Sequence, residues 1–282
     1  MTSHDVIGFL RRVLNTKKIG HGGTLDPDAA GVLPVFAGSA TRLLEFAVEG
    51  RKEYIAEFTL GAQTVTGDDS GEVVKTMPVP AFGKQELEAV LARFTGKQMQ
   101  LPPMYSAIKI NGKKLYQLAR QGVEVERTAR PIEVYKLELL HYTATSFTVR
   151  VACSKGTYIR TLLEDIAAAM GQKGTMSALR RVAAGVYSEA DAHTLEEIQA
   201  AKDAGPEALQ ALMLPVESVF ASLPLLVADE RVEQHLYNGC PTSRYPAADG
   251  RYRVRNAGGQ FLGLANVVNG VLKVEKLFVE RN

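Results

Sequence analysis

Between residues 52 and 60 apolar and polar side chains alternate, with Tyr54, Ala56, Phe58 and Leu60 on one side and Glu53, Glu57 and Thr59 on the other. A period of two with a single apolar face predicts a strand in a sheet covered on one side, and it turns Tyr54 inward near the strand's start. Residues 131–142 and 146–154 are two further β-rich runs, the second carrying Phe147, Val149, Val151 and Cys153 on one face. An antiparallel pair is their simplest arrangement. Elsewhere the period becomes helical. Ser3 is placed to cap a helix through Val6, Ile7, Phe9 and Leu10 that closes near Lys17 and Lys18. Residues 40–49 read as a second helix with Ser39 as its cap, and 85–94, 114–121 and 195–201 as further ones. Residues 157–170 place Ile159, Leu162, Leu163, Ile166 and Met170 on one helical face stopped by Gly171, so Arg160 falls in the first turn.

Near Ser222-Leu223-Pro224 the texture shifts to short β runs at 252–255, 261–268 and 271–278, preceded by a helix over 230–238. The expected organisation is therefore a domain over 1–222 and a small β-rich one over 223–282. The class is α+β, a mixed, largely antiparallel sheet with flanking helices.

Composition narrows the partners. With 282 residues, 46% of them hydrophobic, the chain can bury a sizeable core. A net charge of +2 neither demands nor excludes nucleic acid, so local clustering has to decide. Residues 102–130 supply it: Lys109, Lys113, Lys114, Arg120, Arg127 and Arg130 stand against Glu124 and Glu126, with Tyr105 and Tyr116 among them. That mixture suits phosphate contacts plus base stacking, and a solvated Lys-rich hairpin is the plain alternative. Residues 231–255 hold five arginines against Glu233 and Asp249. Cys153 and Cys240 form no CxxC and His is scarce, so neither a zinc site nor a disulfide framework is expected. No apolar run reaches membrane-spanning length and Met1-Thr2-Ser3-His4-Asp5 opens no secretory signal, making a cytoplasmic setting the default.

The most constrained stretch is Ile19-Gly20-His21-Gly22-Gly23-Thr24-Leu25-Asp26-Pro27-Asp28-Ala29-Ala30-Gly31-Val32-Leu33-Pro34-Val35. Its glycines allow tight turning and close approach of a ligand, and Pro27 moves Asp26 out of the α region, which presents one carboxylate on a stiff loop. A Gly-rich turn followed by an Asx-Pro turn is the bland alternative. The string resembles the catalytic loop of the TruB family of tRNA pseudouridine synthases. Lys52-Glu53-Tyr54, Pro103-Met104-Tyr105-Ser106-Ala107 and Cys153-Ser154-Lys155-Gly156-Thr157-Tyr158-Ile159-Arg160-Thr161 resemble that family in the same order. The resemblance runs from Met1 to about residue 220 and is weaker beyond.

This resemblance implies the pseudouridine synthase fold followed by a PUA-like RNA-binding domain, and isomerisation of uridine 55 in the TΨC loop of tRNA. Asp26 would be the nucleophile, attacking C6 of the uracil or C1′ of the ribose. It must be ionised to attack, and a closed site penalises a lone charge, so a cation is required; Arg160 matches the family's arginine. Tyr54 matches the tyrosine that packs on the base, Tyr158 and Leu179 match positions lining the uracil pocket, and His21 one that helps hold the extruded nucleotide. Lys109, Lys113, Lys114 and Arg120 would contact RNA from an insertion over 102–130. No cofactor and no metal is implied, and a monomer is expected. A non-catalytic RNA-binding or RNA-folding protein on the same fold is the alternative, against which Asp26, Tyr54 and Arg160 argue. The family carries a short strand and a Lys-Pro-x-Gly turn ahead of Met-Thr-Ser. Met1 is accordingly expected to be an internal methionine of a longer natural product, with the 282-residue form less stable and less active.

Overall fold

Long β-rich runs with one apolar face need a helix or a second sheet to cover that face, and this requirement organises the first part of the chain. The computed structural model describes residues 1–47 and 50–279. Among the described residues, one seven-stranded sheet runs in the order Tyr187–Ser188, Gly174–Ala184, Lys52–Leu60, Ser146–Cys153, Arg130–Tyr142 and Gly96–Gln100, and Ala30–Gly31 joins it beside Gly174–Ala184. Every pairing is antiparallel except this last, where Arg180 and Arg181 lie parallel to Ala30 and Gly31. Tyr54, Ala56, Phe58 and Leu60 are buried as the alternation predicts, and Phe147, Val149, Val151 and Cys153 join them. The helices Lys84–Arg93 and Ile159–Ala169 cover this face through Leu87, Leu91, Leu162, Leu163 and Ile166.

The chain divides into two compact units. The first holds Met1–Ser3, Gly23–Pro34 and, of the described residues, 50–192; the second holds His4–Gly22, Val35–Ala47 and 193–279. In the second, Leu225–Ala228, Gly250–Asn256, Phe261–Val268, Val271–Leu277 and Thr242–Ser243 form a five-stranded sheet with the helix Glu230–Tyr237 packed through Val232 and Leu236. Asp229 caps that helix, its side chain accepting from Val232 N at 2.8 Å. The same unit contains an aromatic group in which Phe220 meets Phe46, Phe261 and Phe278 at centroid distances of 5.3, 6.0 and 5.5 Å. It also holds a smaller cluster of Ile7, Leu10 and Ile19, with Ile198 against it.

Several local expectations need correction. Ser3 is the first residue of the helix Ser3–Val13 rather than its cap: its hydroxyl accepts from Leu25 N at 2.9 Å. That helix stops at Val13, a turn before Lys17, and Asn15 follows with φ of 46°. Where a helix over 40–49 is expected, a 3-10 turn Gly38–Leu43 leads into a short helix Leu44–Ala47, and Ser39 caps neither; the remaining positions, Val48 and Glu49, lie outside the described residues. Leu179 to Val182, unassigned by period, sit in the long strand Gly174–Ala184. Register shifts at Met176/Ala178 and Arg181/Ala183 break its alternation, which is why the sequence pattern does not announce it. Among the described residues, no helix is long and apolar enough to cross a membrane.

Candidate active site

The Asp-Pro turn and the first turn of the helix Ile159–Ala169 bring opposite charges together. Asp26 Oδ2 accepts from Arg160 Nε at 3.0 Å and Oδ1 from Nη2 at 3.3 Å, a side-on, two-point contact. The Arg160 side chain is only 5% exposed, whereas that of Asp26 is 35% exposed. The carboxylate is thus fixed from behind and open in front. Arg160 spends its other donors on backbone: Nη1 donates to Thr66 O at 2.6 Å and Nη2 to Tyr105 O at 2.9 Å. A second carboxylate, Asp68, brings Oδ2 to 3.6 Å from Nη1. Thr66 Oγ1 and Ser70 N hold the other oxygen of Asp68 at 2.7 and 3.2 Å. One buried guanidinium therefore serves two acids and two carbonyls, using the planar fork that a lysine lacks.

Tyr54 is 8% exposed and lies opposite Arg181 across the Lys52–Leu60 and Gly174–Ala184 strands. Burial pushes its phenol above the ordinary 10.0, and the Arg181 guanidinium hydrogen-bonded to it pulls the other way. Tyr54 is thus a phenol held neutral, its ring part of the buried core. Leu179, half-buried, pairs with Ala56 two positions along the same strands and packs on the core. Tyr158 precedes the helix that carries Arg160, and the buried Gln100 clamps it: Oε1 accepts from Tyr158 N at 2.8 Å while Nε2 donates to Tyr158 O at 3.0 Å. His21 belongs to the second unit, on the short strand Ile19–His21, where it pairs with Val35.

The basic stretch folds into a hairpin, Lys109–Ile110 against Lys113–Lys114, turned by Asn111 and Gly112 at φ of 50° and 81°. The short helix Leu115–Ala119 follows. Lys114 Nζ and the Arg120 guanidinium lie 5.6 and 5.7 Å from the Tyr116 ring centroid. Lys109, Lys113 and Arg120 are exposed and Lys114 is half-buried. Backbone bonds tie this module to the acid–arginine pair: Tyr116 N donates to Ser106 O at 3.1 Å, next to the Tyr105 carbonyl that Arg160 holds.

Sequence reasoning missed Arg181, Asp68 and Gln100. Arg181 is fully buried and donates to the carbonyls of Gly23, Thr24 and Val32. Its only sequence signal is one of two adjacent arginines between apolar neighbours in Leu179-Arg180-Arg181-Val182. Asp68 reads as a turn residue, and it is one, but its free oxygen points at Arg160.

Comparison with known proteins follows the same lines. Residues 11–159 match the profile of the TruB family pseudouridylate synthase N-terminal domain, and residues 160–221 that of the tRNA pseudouridylate synthase B C-terminal domain. The tRNA pseudouridine synthase B of Listeria monocytogenes serotype 4b is 43% identical over 85% of this chain and 80% of its own length. That of Alkaliphilus oremlandii is 45% identical over 85% and 78%, and that of Geobacillus thermodenitrificans 44% over 85% and 81%. Among solved structures, an H/ACA RNP bound to a substrate RNA containing 2'-deoxyuridine superposes with a TM-score of 0.75 at 23% identity, covering all of this chain and 83% of that one. A Cbf5-Nop10-Gar1 complex gives 0.74 at 25% identity, with 100% and 82% covered. The likeness to these two is one of fold.

Proposed function

Because the chain belongs to the TruB family of pseudouridylate synthases, we propose that it isomerises uridine 55 in the TΨC loop of tRNA to pseudouridine, with Asp26 as the nucleophile. The observation that carries this reading is the Asp26–Arg160 pair: a carboxylate held at two points by a buried guanidinium and still a third exposed. Arg160 aims Asp26 through two charge-assisted hydrogen bonds and leaves its outer side open to a substrate.

The isomerisation breaks the bond between N1 of uracil and C1′ of ribose and forms one between C5 and C1′. The proton lost from C5 is balanced by one gained at N1, so no redox partner enters. Asp26 forms a covalent bond to C6 or to C1′, and the same bond breaks before release. Tyr54 packs on the base, Tyr158 and Leu179 wall the uracil while it turns, and His21 holds the extruded nucleotide. A uridine stacked in a folded loop must leave the stack before Asp26 can reach it. The 102–130 hairpin and its Tyr116 contact the RNA through Lys109, Lys113, Lys114 and Arg120, with recognition mostly by shape. The β-rich segment 223–282 acts as a PUA-like RNA-binding domain, and the enzyme works in the cytoplasm as a monomer.

The test is incubation with an unmodified tRNA transcript followed by pseudouridine mapping. Modification confined to position 55 supports the reading. Tight binding with no pseudouridine at any position would instead mark the chain as a non-catalytic RNA-binding protein.

A further inference from the structure

We infer that Arg181 is a positioning residue: its buried guanidinium holds the backbone of the loop 23–32 in the shape that sets Asp26 against Arg160. Nε donates to Val32 O at 2.7 Å, Nη2 to Gly23 O at 3.0 Å and Nη1 to Thr24 O at 3.4 Å. The main chain of the same residue closes the circuit, since Val32 N donates to Arg181 O at 2.8 Å. One residue therefore ties both ends of the loop, with Asp26 three positions beyond Gly23. The fit is tight. Gly31 has φ of 100°, and a Cβ there would lie 2.2 Å from Arg181 O, so the loop reaches this residue only because position 31 has no side chain.

Arg181 is fully buried, and its acceptors are three carbonyls and the Tyr54 phenol rather than a carboxylate. The groups facing it are the Tyr54 phenol and the Lys52 ammonium, whose pKa is lowered by burial and then by the Arg181 charge. Burying a cation beside a second cation is costly, and a fork of five donors is the group that can satisfy three carbonyls from one point. Asp26 reaches Arg160 through two bonds of about 3 Å, a geometry that a shift of the loop by about 1 Å would break, with a rate penalty of order 100-fold.

This inference rests on the reading of Asp26 as the reacting carboxylate, and the experiment separates the two. Arg181→Lys and Arg181→Met are compared with the parent for single-turnover pseudouridine formation at saturating tRNA, tRNA affinity, melting temperature, and hydrogen exchange at Leu25, Ala29 and Val32. The expected result is a rate lowered about 100-fold with affinity within about 3-fold, and faster exchange confined to those loop amides. A lower melting temperature with rate and loop exchange unchanged would mean that Arg181 is only a stabilising residue, and overturns the inference. If neither variant folds, Gly31→Ala decides: it leaves the guanidinium in place and pushes the loop off Arg181, so an unchanged rate again overturns it. If the parent forms no pseudouridine, the functional reading fails, and the exchange at Leu25 and Ala29 alone judges the anchoring.

Discussion

The Tyr105 carbonyl accepts from Nη2 of Arg160 at 2.9 Å, so the guanidinium that fixes Asp26 also fixes the root of the basic hairpin. On the proposed function, RNA seated on that hairpin and the reacting carboxylate would share one side chain. Arg160→Lys should lower single-turnover pseudouridine formation at least about 100-fold, because an ammonium cannot meet Asp26, Thr66 and Tyr105 together. The rate at saturating tRNA is the measurement; a value near that of the parent would reduce Arg160 to a structural role.

Asp26→Asn nearly keeps the shape of the carboxylate and removes its nucleophilicity. Activity should fall below about 1% of the parent while tRNA affinity stays within about 3-fold, since most affinity comes from phosphate contacts elsewhere. Turnover by a preparation freed of parent enzyme checks this, and substantial residual activity would remove Asp26 from its role.

Lys113 and Lys114 sit at the hairpin, the first exposed and the second beside the Tyr116 ring. Reversing both to Glu should weaken tRNA binding and flatten the dependence of log Kd on log salt by about 1.5 to 2 units, roughly one for each phosphate no longer neutralised. The single-turnover rate at saturating RNA should change much less. Salt titrations giving parallel lines for variant and parent would show that these lysines do not touch phosphate.

Burial raises the Tyr54 phenol above 10.0, so the folded protein holds that proton more tightly than the unfolded chain. Stability from this group is complete below pH 10 and declines as pH rises through the folded-state value. Tyr54→Phe should therefore leave the shape of the pH–rate profile unaltered between about pH 6 and pH 9, even though the rate falls. A limb in that range present in the parent and absent in the variant would contradict a neutral phenol.

Cutting the chain after residue 222 would strip Phe261 and Phe278 from Phe220, and Phe278 from Phe46. At about 1 kcal/mol for each ring pair, and about 2–4 °C per kcal/mol for a protein of this size, the melting temperature should fall by about 6–12 °C. Dye binding to the uncovered rings would accompany it. An unshifted transition would mean that residues 1–222 are self-sufficient.

Some of this was legible in the sequence for physical reasons. Tyr54 announces its direction because its strand is covered on one face, and Arg160 announces its place because an amphipathic helix starts right after a Lys-Gly break. Arg181 announces nothing: a buried arginine and a surface arginine are the same letter, and the two shifts in its strand erase the alternation that would have turned it inward. Asp68 hides because a turn aspartate has one oxygen for its own backbone and another whose target lies far along the chain at Arg160. The strand Leu225–Ala228 escapes because it is only four residues long and follows a proline. The composition of the second unit was invisible, since Ile7 and Ile198 meet only through the fold.

That composition sets a timetable for synthesis. The helix around Ile7 and the Phe46 ring leave the ribosome well before Ile198, Phe220 and Phe278, which pack on them. At about 5–20 residues per second, the roughly 150 residues between Ala47 and Ile198 take about 7–30 s to emerge. Throughout that interval the Ile7 and Phe46 segments carry bare apolar side chains, and the seven-stranded sheet completes only at its end, when Gly174–Ala184 and Tyr187–Ser188 emerge. Chaperones that shield exposed apolar stretches therefore have their longest opportunity at these two segments, before the residues that cover them have been made.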